Sequence, residues 1–461
     1  MSDLQLGGHQ EAHRPRIGSL TVEAGEIAAL GIIVIAFAVV SMRIARWPLT
    51  MPMIFVAAGA LGEATEMVDI APDHEAIAAL AEVTLAIILF SDAVRIDIRR
   101  LRRYLAIPIR LLAIGLPLTI VVGTLINSLL FPDLPLVQVA LIAAILAPTD
   151  AALGSAVVED TSVPVRDRLA LNVESGVNDG LVVPVVAVLT AAVIGESRST
   201  PEWIGFIAQQ IGWGVVFGAI VGGGAIVALR WSDDRGWADA RFQQLATFVV
   251  PIVALFGAEA LSGNSFIAAF VAGLVFGSFG ARPDEETPTL PVRLGAFTED
   301  AAQLFGLAAF FVFGNVLLAD AITDATWAIV ACAVLSLTVA RMGPVWVALI
   351  GTGLRARTRL FLGWFGPRGL ASIVFGLLLL EDTVAVADVG EQVFGVIALT
   401  VAASVLLHGA TASSGARRYG RWAEEVIESG DHAERRSMTM EDELLAEKHH
   451  LLPKSRWSVR R

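Results

Sequence analysis

The chain is poor in the residues on which most other protein classes depend. Its 461 residues include one cysteine and two tyrosines, and only 17% are charged. The single cysteine, Cys332, lies in an apolar run. It offers no disulfide framework and no thiolate metal site, and reads as a small core residue. Lysine occurs only at Lys448 and Lys454, and no basic stripe is interleaved with aromatics. Nucleic-acid binding is thereby excluded. A soluble globular chain is about one quarter charged, well above the share found here. There is no nucleophile–base pair, histidine cluster or cofactor fingerprint, so neither an enzyme nor a cofactor is expected. His408 stands alone in an apolar stretch and reads as packing or a helix-end contact. Gly222-Gly223-Gly224 follows no strand, which makes it close helix packing rather than a phosphate loop.

What the chain does have is apolar length. It is 55% hydrophobic, with a mean hydropathy of +0.69. Segments of about 20 apolar residues recur along it, the mark of a polytopic helical membrane protein. They run without alternation, which excludes a barrel, and lipid excludes open sheet edges. The expectation is an all-α membrane protein of about thirteen spans: 22–43, 48–65, 75–95, 104–131, 135–157, 168–195, 203–230, 242–262, 264–280, 298–318, 325–350, 359–381 and 390–412. A tight Ser262-Gly263-Asn264 turn joins the eighth and ninth. Residues 1–16 are polar, and the first apolar helix lacks a small-residue cleavage site, so it reads as a span rather than a signal peptide. The division is a segment 1–21 outside the membrane, a membrane domain 22–412, and a charged tail 413–461 with a short amphipathic piece near Arg421–Ile427.

Loop charges orient these spans. Arginines gather after the odd-numbered spans: Arg43 and Arg46, then Arg95, Arg99, Arg100, Arg102 and Arg103, and at the end Arg417, Arg418 and Arg421. The opposite loops carry Glu66, Asp69, Asp73, Glu75, Asp133, Asp320, Asp324, Glu381, Asp382, Asp388 and Glu391. The positive-inside rule then places the N-terminus outside and the C-terminus in the cytoplasm of a cell membrane. The net charge of −12 is spread over loops and tail and reads as a solvated surface. Glu299 and Asp300 fit the start of the tenth span, and Asn315 in its middle is placed to hydrogen-bond to the core.

Thirteen spans suit two six-span repeats joined by the seventh. If the repeats are inverted, span five pairs with span twelve. Each contains a proline break followed by a charge: Ala147-Pro148-Thr149-Asp150 and Phe365-Gly366-Pro367-Arg368-Gly369. Broken helices in corresponding positions point to a transporter's midplane site. Asp150 suits the N-terminus of the half-helix that follows it, and Thr149 with freed carbonyls offers hard oxygen ligands for a small cation. Span six holds Asn172-Val173-Glu174-Ser175-Gly176-Val177-Asn178-Asp179-Gly180. Two carboxylates at mid-membrane are expensive and need a reason. Glu174 and Asn178 share one helix face, Ser175 and Asp179 the adjacent one. Asp179 is the candidate exchanging group. Glu174 needs a cation, either Arg341 in span eleven or Arg368 in span twelve; the other would compensate the break region or Asp150. A cation channel, the reading from another class, would need repeated ligand sites along a continuous pore, and one cluster at Asp179 argues against it.

The segments Ala147-Pro148-Thr149-Asp150, Glu174-Ser175-Gly176-Val177-Asn178-Asp179-Gly180, Ala340-Arg341 and Gly366-Pro367-Arg368-Gly369 resemble the monovalent cation:proton antiporter-1 family, which includes the NhaP proteins and the animal sodium/proton exchangers. The resemblance covers about residues 20–412. It implies thirteen helices in inverted repeats with two crossed broken helices, a core domain and a dimerisation domain, hence a homodimer. By resemblance Asp179 is the ion- and proton-carrying carboxylate, with Thr149, Asp150 and Ser175 as further site residues and Na+ bound at Asp179, Ser175 and Thr149. Glu174 and Arg341 match the family's interhelical ion pair. Asn178 matches the Asn of its Asn-Asp motif, which implies electroneutral exchange of Na+ (or Li+) for H+; a K+/H+ antiporter on the same scaffold is the alternative. One departure is that Pro148 precedes Thr149, where many relatives have proline after the Asp, which allows the break to shift by a residue or two. Asp92, in Phe90-Ser91-Asp92-Ala93, lies one position from the acid of some relatives and is a weaker candidate, the alternative being a residue at a helix end.

Overall fold

A computed structural model describes residues 24–44, 49–65, 74–96, 106–150, 153–194, 199–280, 290–384 and 391–428. The segment 1–21, the chain beyond 428, and the loop charges Arg46, Glu66, Asp69, Asp73, Arg99, Arg100, Arg102, Arg103 and Asp388 lie outside these residues. The described residues are helical and include no strand: α1 (Ala24–Ile44), α2 (Met51–Ala64), α3 (His74–Val94), α4 (Ala106–Leu130), α5 (Leu136–Ile145), α6 (Ser155–Val158), α7 (Val165–Val193), α8 (Thr200–Asp233), α9 (Ala240–Ala260), α10 (Ser265–Gly280), α11 (Leu290–Val316), α12 (Leu318–Thr323), α13 (Trp327–Leu337), α14 (Val339–Ala348), α15 (Ala356–Trp364), α16 (Leu370–Val384) and α17 (Glu391–Glu428). Six of them, and α13 with α14 taken as one, are long and apolar enough to cross a membrane, and five shorter apolar helices accompany these.

Helix packing follows residue size. On α8, Gly214, Gly218 and Gly222 recur every fourth residue and face α10, where a Cβ at Gly218 or Gly222 would overlap the backbone of Ala268 or Ala272. Only glycine allows that approach, the small-residue packing that replaces hydrophobic driving force in lipid. The turn between α9 and α10 is tight as expected, with Ser262 at φ 55° and Gly263 against Trp213. Cys332 is buried and donates to Asn127 Oδ1 at 2.9 Å, and Asn315 donates to the Gly59 carbonyl at 3.2 Å.

Four elements differ from the sequence expectation. The last helix does not stop at 412 but runs to Glu428. Ala412, Ala416, Tyr419, Ala423 and Val426 continue its buried stripe at three- and four-residue spacing. The charged residues between them, Arg417, Arg418 and Arg421, lie on the other face and disguise the helix as tail. The tenth span begins earlier, at Leu290, so Glu299 and Asp300 sit well inside α11 rather than at its start. Glu299 is there because it forms an ion pair with Arg95 at the end of α3. The eleventh span is interrupted at Thr338 (φ −107°, ψ −80°), whose hydroxyl donates back to the Val334 carbonyl at 2.6 Å; such back-bonding bends helices. Lastly, a π-turn at Leu111–Gly115 lies within α4. Just before it, Arg110 donates to the carbonyls of Ala348 and Ile350 at 3.2 and 2.7 Å. A cation thereby meets the negative end of α14.

Candidate functional site

α7 carries three carboxylates into the interior: Asp167, Glu174 and Asp179 are 0%, 3% and 7% exposed. Asp167 lies in the first turn, where negative charge is favoured. Its Oδ1 accepts from Arg166 Nε at 2.8 Å and its Oδ2 from the Tyr419 hydroxyl at 2.7 Å. The Tyr419 oxygen is also 3.0 Å from Thr358 Oγ1. Glu174 takes two parallel bonds from Arg341, at 2.5 Å to Oε1 and 2.9 Å to Oε2. The bend at Thr338 sets the start of α14, and Arg341 lies in its first turn. The bidentate fork is the strong form of a charge pair, and burial demands it, because either partner alone would be an uncompensated buried charge.

Asp179 is different. Its Oδ1 is buried without a hydrogen-bond partner, and so is Asn178 Oδ1. The amide of Asn178 donates to Thr149 Oγ1 at 2.7 Å, and the same hydroxyl is 3.0 Å from Ser175 Oγ. Thr149, Ser175 and Asn178 are therefore one hydrogen-bonded cluster on the turn that ends in Asp179. Asp92 approaches from α3: a Cβ at Gly176 would lie 3.7 Å from the Asp92 Cβ, one turn before Asp179.

Two chain breaks deliver these groups. α5 ends at Ile145, two residues before Ala147, so the break starts earlier than Pro148 alone indicates. The second break is Phe365–Gly369, between α15 and α16. The breaks cross and terminate each other. Asp150 N donates to the Pro367 carbonyl at 2.8 Å. Asp150 Oδ2 accepts from Leu370 N at 2.7 Å, the first residue of α16. In the other direction Arg368 Nη1 donates to the carbonyls of Ala147 and Pro148, and Ser372 Oγ to that of Ile145 at 2.7 Å. An anion thus sits at the positive end of one half-helix and a cation at the negative end of the other. The glycines of the second motif are needed for this approach: a Cβ at Gly369 would overlap the Asp150 carboxylate, and one at Gly366 the Arg341 guanidinium.

Of the two arginines that the sequence left open for Glu174, Arg341 makes the contact, and Arg368 serves the carbonyls of the first break. Asp150 caps the half-helix of the other break, α16, rather than only the chain that follows it. Its second contact is from Leu153 N at 3.3 Å. Thr149, Ser175, Asn178 and Asp179 come together; the Asp150 carboxylate is turned to the helix end. Sequence reasoning missed Asp167, Tyr419, Thr358, Ser372, Ser404 and the setting of His408. A readable signal existed for the last two: Thr400, Ser404 and His408 recur every four residues in an apolar helix, and all are buried.

The likeness to known proteins agrees with this geometry. The chain is 26% identical over 376 residues to the K(+)/H(+) antiporter NhaP2 of Shewanella oneidensis, a match covering 79% of this chain and 62% of that protein. It is 25% identical over 399 residues to the Na(+)/H(+) antiporter ApNhaP of Aphanothece halophytica, covering 85% and 72%. The chain thus spans about six-tenths of the length of the Shewanella relative. Among solved structures, the sodium proton antiporter MjNhaP1 of Methanocaldococcus jannaschii superposes with a TM-score of 0.70 at 19% identity, over 86% of this chain and 98% of that one. Two crossed broken helices in an all-helical membrane fold, together with a match of residues 30–415 to the transmembrane sodium/hydrogen exchangers, place the chain in that family.

Proposed function

We propose that the protein is a secondary active antiporter that exchanges a monovalent cation for a proton at Asp179. The observation that carries this is the state of its three buried α7 carboxylates: two are fully engaged by protein donors, while Asp179 Oδ1 has none and lies beside the Thr149–Ser175–Asn178 cluster. Such a carboxylate has two ways to lose its charge, a proton or a cation. They are exclusive, so both compete for one group. A bare carboxylate crossing an apolar barrier is costly and a neutralised one is not. The core therefore moves only when Asp179 is occupied, and that rule couples the two fluxes. The hydroxyls of Thr149 and Ser175 complete an oxygen environment for the cation, while Asp150 holds the break beside them. Glu174 with Arg341 adds no net charge, and Asn178 is neutral, so one carboxylate titrates per cycle and exchange is electroneutral.

The cation is Na+, with Li+ accepted. The second reading, K+, is favoured by the name of the Shewanella relative. The chain crosses the cell membrane thirteen times as a homodimer, with the N-terminus outside and the C-terminus in the cytoplasm, following its arginine distribution. Purified protein in proteoliposomes, titrated with Na+, Li+ and K+ while proton movement is followed, tests both readings. Asp179→Asn abolishes cation-dependent proton flux; full flux in that variant overturns the mechanism, and saturation by K+ alone overturns the Na+ assignment.

A further inference from the structure

The second break is attached to α17 on both of its sides, by residues that have no part in the exchange reaction as described. On the far side, Arg368 N donates to Ser404 Oγ at 2.6 Å. That amide belongs to the break itself, one residue before Gly369, whose carbonyl accepts the first bond of α16 from Ile373 N. Ser404 Oγ is in turn 3.1 Å from His408 Nδ1. On the near side, the Trp364 ring packs against His408 with centroids 4.9 Å apart and the planes tilted by 39°. Trp364 Nε1 donates to Thr411 Oγ1 at 3.1 Å. Ser404 and His408 are 0% and 1% exposed. His408 Nδ1 also lies 3.0 Å from the Ser404 carbonyl. With the ring proton on Nε2 it accepts from the Ser404 hydroxyl; with the proton on Nδ1 it donates to that carbonyl. In both forms the ring is bonded to Ser404.

The first break is held differently: Thr149 is bonded to Ser175 and Asn178 of α7. Its carbonyls are held by Arg368 and Ser372, both contributed by the second break and the half-helix after it. Asp150 and the carbonyls before it are therefore set against the second break, which is in turn attached to α17. We propose that Ser404 and His408 are positioning residues that splint the second broken helix: Ser404 holds the Arg368 amide just before α16, and His408 is bonded to Ser404 while packing back against Trp364. The consequence for transport rests on the antiport reading above; the splint itself does not.

Two measurements on the full-length protein separate these. Hydrogen exchange of the segment 364–370 reads the splint directly. Ser404→Ala and His408→Leu speed exchange there, whereas His408→Asn, whose amide reaches the Nδ1 position, retains wild-type protection. Sodium-dependent proton flux in proteoliposomes reads the consequence: both disruptive variants raise the apparent KM for the cation roughly fivefold, the loss of about one hydrogen bond, with little change in maximal rate. His408→Asn restores the wild-type KM, and Ser404→Ala combined with His408→Leu is no worse than either alone. Wild-type exchange and KM in His408→Leu overturn the proposal, as does His408→Asn behaving like His408→Leu. Faster exchange in the disruptive variants, with no cation-dependent flux in the wild type, upholds the splint and overturns the antiport reading instead. If Ser404→Ala does not fold, the His408→Asn and His408→Leu pair decides alone.

Discussion

The two ends of one stretch of α7 treat the same chemistry in opposite ways. From Asp167 to Glu174 every buried carboxylate has its donors: Arg166 and Tyr419 for the first, the Arg341 fork for the second. Five residues on, Asp179 has a buried oxygen with no protein donor at all. Burial is similar in the three cases. What differs is whether a neighbouring helix brings a matching group. A satisfied carboxylate fixes a helix, and an unsatisfied one is available to a mobile cation or proton. One helix thus contains both anchored carboxylates and one whose Oδ1 no protein donor reaches.

The strongest way to break this contrast is to unpair Glu174. Arg341→Ala leaves a buried charge alone and is expected to cost about 3–5 kcal/mol, seen as loss of folded protein or a sharply lowered melting temperature in detergent. Glu174→Gln combined with Arg341→Gln recovers most of it. Asp179→Asn does the reverse, leaving the melting temperature unchanged or higher, because no protein contact is removed. Equal destabilisation by Arg341→Ala and Asp179→Asn would erase the distinction. Next in size is Tyr419→Phe. It removes a hydrogen bond to a charged acceptor, worth about 1.5–3 kcal/mol, and should lower stability with the cation dependence of transport intact. The smallest structural effect is expected of Thr149→Val, which takes away the hydroxyl shared by Ser175 and Asn178. Stability changes little, but the apparent cation affinity falls about tenfold, a difference of roughly 1.4 kcal/mol. Cation titration of proton flux measures it, and Thr149→Ser should restore it.

Much of this arrangement is legible in residue order. Proline followed by a charge marks both breaks, since proline removes a ladder hydrogen bond wherever it falls. Two acids in an apolar span mark α7. What cannot be read is which side chain ends which helix. Asp150 and Leu370 are far apart in sequence, yet the carboxylate caps that amide. Arg341 and Arg368 are equivalent by spacing; the bend at Thr338 and the crossing of the breaks separate them. The end of α17 was missed because its arginines dominate a reading by hydropathy, while the buried face that extends the helix, through Ala412, Ala416 and Tyr419, depends on packing beneath it. There Tyr419 stacks on Phe361 at 3.9 Å and reaches Asp167.

By itself the sequence determined the solvent and the cast. Apolar runs of membrane length leave only helices as spanning elements, because backbone groups in lipid must be satisfied within the segment. Two proline breaks and a few intramembrane charges then define where chemistry is affordable. The tertiary structure decided the roles. Carboxylates of the same type become anchor or reactive group according to whether another helix carries a donor to them, and that depends on crossings and bends between residues distant in the chain.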